Sequence, residues 1–175
     1  MYLNNLSIRN FCNIEDKSFE FSPGINLITG TNGSGKSSIL KALSYLLLNS
    51  TEKTIADYVN WYAKSFDLNL EFILDKSSAS LSASYDGKSA SKELRISNDM
   101  YKNSEVSSYL AQKFDPTLCK YSSFSSQGDL DFIYASPAVR RDLLKTIYSL
   151  EFDTQIREVE ERIATLQQEQ KQLEQ

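Results

Sequence analysis

Histidine is absent from the 175 residues. Its absence excludes Ser-His-Asp and Cys-His catalysis, the H-E-x-x-H zinc enzymes and every C₂H₂ finger. Cysteine is scarce: Cys12 and Cys119 stand far apart in sequence, which suits a reducing compartment and is too few for a structural zinc site. The longest apolar run, Leu46–Leu48 with its neighbours, falls far short of the roughly 20 residues that a membrane helix needs. No secretory signal appears at Met1, so a cytoplasmic chain is expected, nucleoid-associated or, in a eukaryote, nuclear. A basic block is missing too. Of 19 Lys and Arg and 23 Asp and Glu, residues 151–175 hold 3 and 7, which leaves 16 of each in residues 1–150. Such a neutral body has no cationic footprint for nucleic acid, so DNA binding has to come from folding or assembly that clusters charge.

What remains is the composition of a soluble globular protein: 41% hydrophobic, 24% charged, mean hydropathy −0.40. At 19.9 kDa there is room for one domain with its own core. Leu6 and Ile8, then Phe19 and Phe21, alternate with polar residues and predict two short strands with a turn from Asn13 to Lys17. After Pro23-Gly24, the run Ile25, Leu27, Ile28 reads as a buried central strand that stops at Gly30. Ile39, Leu40, Ala42, Leu43, Leu46 and Leu47 then recur at helical spacing up to Asn49-Ser50. Alternation returns from Asp67 to Leu74 and from Ser78 to Tyr85, with Asp86-Gly87 as a two-residue hairpin turn; the Ser-rich composition there also admits a flexible loop. Val106, Leu110 and Phe114 fit a helix closed by Asp115-Pro116, and Leu118–Phe124 suits a strand. Ser136-Pro137 is an N-cap followed by proline at the first helical position.

From Phe152 the pattern changes. Phe152, Ile156, Val159, Ile163, Leu166, Gln170 and Leu173 step by 4 and 3 in turn, a heptad seam that winds round a second helix. An amphipathic helix packed on the body is the alternative. The register stops at Gln175 without a C-cap, which favours a coiled coil cut short. The expected domains are therefore a lobe over 1–150 and the start of a coiled coil over 151–175.

Gly30-Thr31-Asn32-Gly33-Ser34-Gly35-Lys36-Ser37 matches the phosphate-loop pattern G-x-x-x-x-G-K-S/T between a predicted strand and a predicted helix. Its glycines let the backbone curl so that successive N–H groups converge, at the positive end of the following helix, on one anion. Lys36 reaches the β- and γ-phosphates of a nucleotide in this reading, and the Ser37 hydroxyl is a magnesium ligand. A second hydrophobic strand ending in Asp-Glu, which the class uses for hydrolysis, is not found. The catalytic half of the site is missing.

Several segments together resemble the N-terminal half of an SbcC-type ATPase head, the counterpart of Rad-fifty proteins in the SMC-like branch of ABC ATPases. They are Leu6-Ser7-Ile8-Arg9-Asn10-Phe11, Phe21–Ile28, Asn32-Gly33-Ser34-Gly35-Lys36-Ser37-Ser38, Ser126-Gln127-Gly128-Asp129-Leu130, and Ala135–Leu144 followed by the seam. The resemblance implies an α/β P-loop NTPase fold, with a mixed sheet plus an antiparallel meander and a C-terminal coiled-coil helix. It makes Gln127 the residue that touches magnesium and the attacking water. It places Arg9 and the corner from Phe11 to Asn13 near the adenine, and Val59 to Trp61 along the nucleotide, although Cys12 stands where many relatives carry a basic residue. Nucleotide contacts are thus expected from Arg9, Asn13, Asn32–Ser38, Val59 and Trp61.

The function so implied is Mg-dependent ATP hydrolysis, with Lys36 and Gln127 as the catalytic residues and Ser37 and Gln127 on the metal, very weak in this half alone. The implied partners are the C-terminal half of the same ATPase, a second head in an ATP-bound dimer, an SbcD-type nuclease and DNA, with no membrane. A recombination mediator or chromosome organiser of the same SMC-like class is the alternative. A small-molecule P-loop kinase is disfavoured because it closes within one chain and has no heptad tail. A binding module whose tail only oligomerises is the non-enzyme alternative.

Overall fold

The computed structural model describes residues 2–49, 54–114 and 136–147, together with Cys119, Val159, Arg162, Ile163, Leu166 and Gln167. The expected strand over Leu118–Phe124, Gln127 and most of the seam lie outside them. The chain divides into two units, residues 1–129 and 130–175, each described here by itself.

In the first unit, β1 (Tyr2–Phe11) and β2 (Ile14–Glu20) form a hairpin whose turn is Cys12-Asn13 alone. The expected turn from Asn13 to Lys17 is therefore corrected: Glu15, Asp16 and Lys17 lie in β2. That strand is at the edge of the sheet, where exposed charges are tolerated and discourage further pairing. β3 (Phe66–Leu74), β4 (Ser77–Tyr85), β5 (Ala90–Ile96) and β6 (Asp99–Lys102) complete a six-stranded sheet in the order β2-β1-β3-β4-β5-β6. Every named pairing is antiparallel. The Ser-rich stretch is a strand, not a loop. Ala79, Leu81 and Ala83 are buried between serines that pave the opposite face. The Asp86-Gly87 turn is longer than expected, running from Asp86 to Ser89, because Asp86 Oδ1 accepts the N–H groups of Lys88 and Ser89 at 2.8 and 2.7 Å and stabilises a wider loop.

α1 (Lys36–Leu48) lays Ile39, Ala42, Leu43, Leu46 and Leu47 into a core shared with Leu6, Ile8, Phe11, Leu68, Leu70 and Phe72 of the sheet. α2 (Ser104–Lys113) adds Val106 and Leu110. Asn10 adopts φ +53, and this kink lets both Ile8 and Phe11 reach full burial although they differ in strand parity. Phe11 stacks on Tyr58 at 5.3 Å and meets Phe66 edge-on at 5.1 Å, joining β1, β3 and the 3₁₀ turn Ile55–Tyr58. At the far end of α1, Lys92 of β5 donates to the Tyr45 carbonyl and Asn49 Oδ1.

The segment Ile25–Ile28 is not the buried strand expected of it. It joins no ladder among the described residues, and Ile25 and Leu27 are 101% and 85% exposed. The Asn26 side chain instead closes a local turn with Ser22, donating to its carbonyl at 2.8 Å and accepting its N–H at 2.9 Å. The inner strands β1, β3, β4 and β5 are already paired on both sides, so a central place in this sheet is not open to the segment.

In the second unit, α3 (Pro137–Ile147) begins as its sequence predicts: the Ser136 hydroxyl accepts the Val139 N–H at 3.4 Å, and Pro137 occupies the first helical position. Val159, Ile163 and Leu166 are helical and about half exposed. Among the described residues no helix is long and apolar enough to cross a membrane.

Candidate nucleotide site

The loop Gly30–Gly35 runs directly into α1, whose N-cap is Gly35 at φ +98. No side chain caps this end and no acidic residue occupies the first turn. The first N–H groups of any helix lack intrahelical acceptors, so here they stay available to an external acceptor at the positive end of the dipole. Only glycine fits Gly35: its φ is left-handed, and a Cβ there would lie 2.9 Å from Ile14 Cγ1. Gly33 is also left-handed, at φ +82, but open space surrounds it.

Lys36 lies back across the loop, donating from Nζ to the carbonyls of Gly30 and Thr31 at 2.8 Å each. The Thr31 carbonyl also accepts the Ser34 N–H at 3.2 Å. The loop is thus a closed ring of its own polar groups, with Ser37 exposed beside it and Ser38 buried beneath. These residues fit a nucleotide's phosphates: a helix start with no side-chain cap, one ammonium, and no carboxylate among residues 30–38. Among the described residues no cluster of three or more His, Cys, Asp or Glu could hold a metal; the exposed Ser37 hydroxyl is a hard oxygen donor of the kind magnesium takes.

Two further segments wall the loop. At the β1–β2 hairpin tip, Asn13 donates from Nδ2 to the Gly33 carbonyl and accepts the Ser38 hydroxyl at 2.7 Å. The tip is tied in turn to the loop after the 3₁₀ turn: the Cys12 N–H donates to the Tyr58 carbonyl at 2.6 Å, and Asn60 Nδ2 to the Cys12 carbonyl at 2.9 Å. Asn60, 6% exposed, has both ends of its amide engaged, its Oδ1 accepting the Tyr62 N–H at 3.0 Å. Nothing in its sequence context marked Asn60 as a structural pin.

The remaining candidates are placed as follows. Val59 bridges Phe11 through the backbone beside the hairpin tip. Trp61 is 94% exposed, projecting from the turn that Asn60 anchors. Asn32 is exposed in the loop. Arg9 stands apart on the outer face of the sheet, where it pairs with Asp16 at 3.2 Å; among the described residues no bond joins it to the phosphate loop.

Comparison with known proteins extends this picture. The AAA ATPase domain family matches residues 1–174. The chain is 29% identical over 168 residues to the DNA double-strand break repair Rad50 ATPase of Thermoplasma acidophilum, covering 86% of this chain and 18% of that protein. It is 54% identical over 46 residues to the DNA replication and repair protein RecF of Francisella tularensis subsp. novicida, covering 26% of this chain and 13% of RecF. The chain thus spans less than a fifth of the relatives it matches. Among solved structures, one from work on ATP-driven dimerisation and DNA-stimulated activation of SMC ATPases superposes with TM-score 0.66 at 23% identity, over 84% of this chain and 99% of the other. An SMC head bound to the C-winged helix domain of ScpA gives TM-score 0.64 at 22% identity, over 86% and 52%. The fold is therefore that of SMC head domains.

Proposed function

The chain belongs to the AAA ATPase domain family, and on that premise we propose that it is the ATP-binding half of a DNA-repair ATPase head of the SbcC and Rad50 kind. The observation that carries this reading is the uncapped, acid-free start of α1, which Gly35 opens toward the ring formed by Lys36 and the loop carbonyls. Lys36 holds the β- and γ-phosphates, the backbone N–H groups of Gly35 to Ser38 orient them, and Ser37 takes the magnesium. When bound, magnesium neutralises charge on the phosphate oxygens. Gln127 serves as second metal contact and orients water, a role proposed from its motif alone. Asn13 and Val59 brace the site, and Trp61 lines the nucleotide.

The hydrolytic carboxylates come from a C-terminal half of the same ATPase, whose docking also covers Ile25 and Leu27. Two such heads close on ATP, control an SbcD-type nuclease and gain access to DNA. Residues 151–175 begin the coiled coil, and the protein works in the cytoplasm on the nucleoid. The RecF identity favours a second reading, a recombination mediator. It spans 26% of the chain against 86% for the Rad50 ATPase, so it speaks for the shared loop more than for the whole lobe.

Calorimetric titration with Mg-ATP and steady-state hydrolysis, each with and without the C-terminal half, test the proposal. Binding is expected to vanish in Lys36→Ala, with negligible turnover until the second half is added. Ordinary turnover by residues 1–175 alone, abolished by Lys36→Ala, would overturn the half-site and leave a self-contained enzyme.

A further inference from the structure

Glycine admits many backbone conformations, so a loop built on Gly33 and Gly35 needs something else to select one. Packing does this for Gly35, against Ile14. Around Gly33 there is nothing within 4 Å of where a Cβ would stand, and φ is +82. Asn13 supplies what packing does not.

We propose that Asn13 is a positioning residue that fixes the peptide between Gly33 and Ser34 with its N–H turned into the phosphate loop, and does not contact the base. The inference rests on the reading of the loop as a nucleotide phosphate site. The peptide is trans, so its C=O and N–H point in opposite directions. Donation from Asn13 Nδ2 to the Gly33 carbonyl turns the Ser34 N–H into the loop, where it donates to the Thr31 carbonyl at 3.2 Å beside Lys36 Nζ, a bond that a bound anion would have to replace. A flip of this peptide would aim a carbonyl oxygen at the anion instead. The other end of the Asn13 amide accepts the Ser38 hydroxyl at 2.7 Å, so one side chain bridges the loop and the first turn of α1. With its donor and acceptor ends both bound to the loop and helix, the amide is poorly placed to read a base.

The hairpin tip is itself immobilised. Cys12, at φ +52, is held through its N–H by Tyr58 and through its carbonyl by Asn60. A continuous chain of bonds runs from Asn60 through Cys12 and Asn13 to Gly33. The family resemblance groups Asn13 with the base contacts, whereas its two bonds tie it to the Gly33 carbonyl and the Ser38 hydroxyl.

The test titrates the full chain with Mg-ATP and, separately, with inorganic tripolyphosphate in magnesium, using wild type, Asn13→Ala, Ser38→Ala, the double variant and Lys36→Ala. A brace acts on phosphates only, so Asn13→Ala is expected to weaken both probes by the same factor, about tenfold for two lost hydrogen bonds. Ser38→Ala should cost less, and the double variant no more than Asn13→Ala, because the Ser38 hydroxyl acts through Asn13. The thermal midpoint should barely move, since Asn13 is exposed and outside the core. Loss of ATP with tripolyphosphate unchanged would make Asn13 a base contact and overturn the proposal. No effect on either probe, while Lys36→Ala abolishes both, would overturn it and leave the nucleotide reading intact. Failure of wild type to bind either probe, or indifference to Lys36→Ala, would sink both.

Discussion

Lys92 is a lysine in the wrong solvent. It is 8% exposed, its Nζ donates to the Tyr45 carbonyl at 2.5 Å and to Asn49 Oδ1 at 2.8 Å, and it lies 4.1 Å from the centre of the Tyr45 ring. Among the described residues no carboxylate pairs with it. Burial pushes its ammonium from 10.5 down to about 8. At about 1.4 kcal/mol per pH unit, holding the charge inside costs roughly 3 kcal/mol relative to the unfolded chain. Because the folded pKa is lowered, the unfolded state binds more protons between pH 8 and 10.5, and stability from this group rises with pH through that window. Tyr45 acts in the opposite sense, since burial raises its phenol above 10, but only above pH 10.

In Lys92→Met the charge penalty disappears together with two hydrogen bonds, worth about 1 kcal/mol each, and a cation–π contact of roughly 0.5–1 kcal/mol. These nearly cancel at pH 7, so a single-pH comparison decides nothing and the slope is the measurement. Urea unfolding followed by far-UV circular dichroism, at pH values from 7.5 to 10, gives it; Trp61 fluorescence is a poor reporter because that side chain is already 94% exposed. The stability of wild type relative to Lys92→Met should climb by about 2–3 kcal/mol across this range. A flat difference would refute the buried-cation reasoning.

Gly35→Ala should lower stability by about 1–3 kcal/mol and abolish ATP binding, because strain at φ +98 adds to a clash in which the new Cβ lies only 2.9 Å from Ile14 Cγ1, whereas Gly33→Ala, with open space around it, should cost only about 1 kcal/mol in thermal melts. The double change Ile25→Ser and Leu27→Ser should leave the unfolding free energy of this chain within about 0.5 kcal/mol, since both are already exposed, yet weaken co-purification with the C-terminal half. Val159→Asp with Ile163→Asp should weaken the same association through the seam; unchanged capture of the half by both pairs would refute the two surfaces.

The legible features of this chain were those whose signal is local. The phosphate loop, α1 and the β3–β4 alternation each follow from residues within a few positions of one another, and Ser136-Pro137 begins a helix where its chemistry says. The illegible ones depend on partners remote in sequence. Asn13 reaches across 20 residues to Gly33, Asn60 across 48 to Cys12, and Lys92 across 43 to Asn49. A carboxamide or an ammonium has no periodicity to betray what it will touch.

Ile25–Ile28 failed for a different reason. Its periodicity predicts a buried strand, whereas the segment pairs with no strand of the sheet among the described residues and stays exposed. An apolar pattern states that a surface will be covered without stating by what. Ile25 and Leu27 stand exposed just before the Gly30–Gly35 loop, and the proposed half-site takes its hydrolytic carboxylates from the C-terminal half. In the proposed head one incoming element meets both needs, by pairing along this segment and presenting an acidic residue at the end of its strand beside Lys36. The dependence of hydrolysis on the C-terminal half and the dependence of its docking on Ile25 and Leu27 should then fall together: substitutions that abolish docking should abolish turnover while leaving ATP affinity for this chain unchanged.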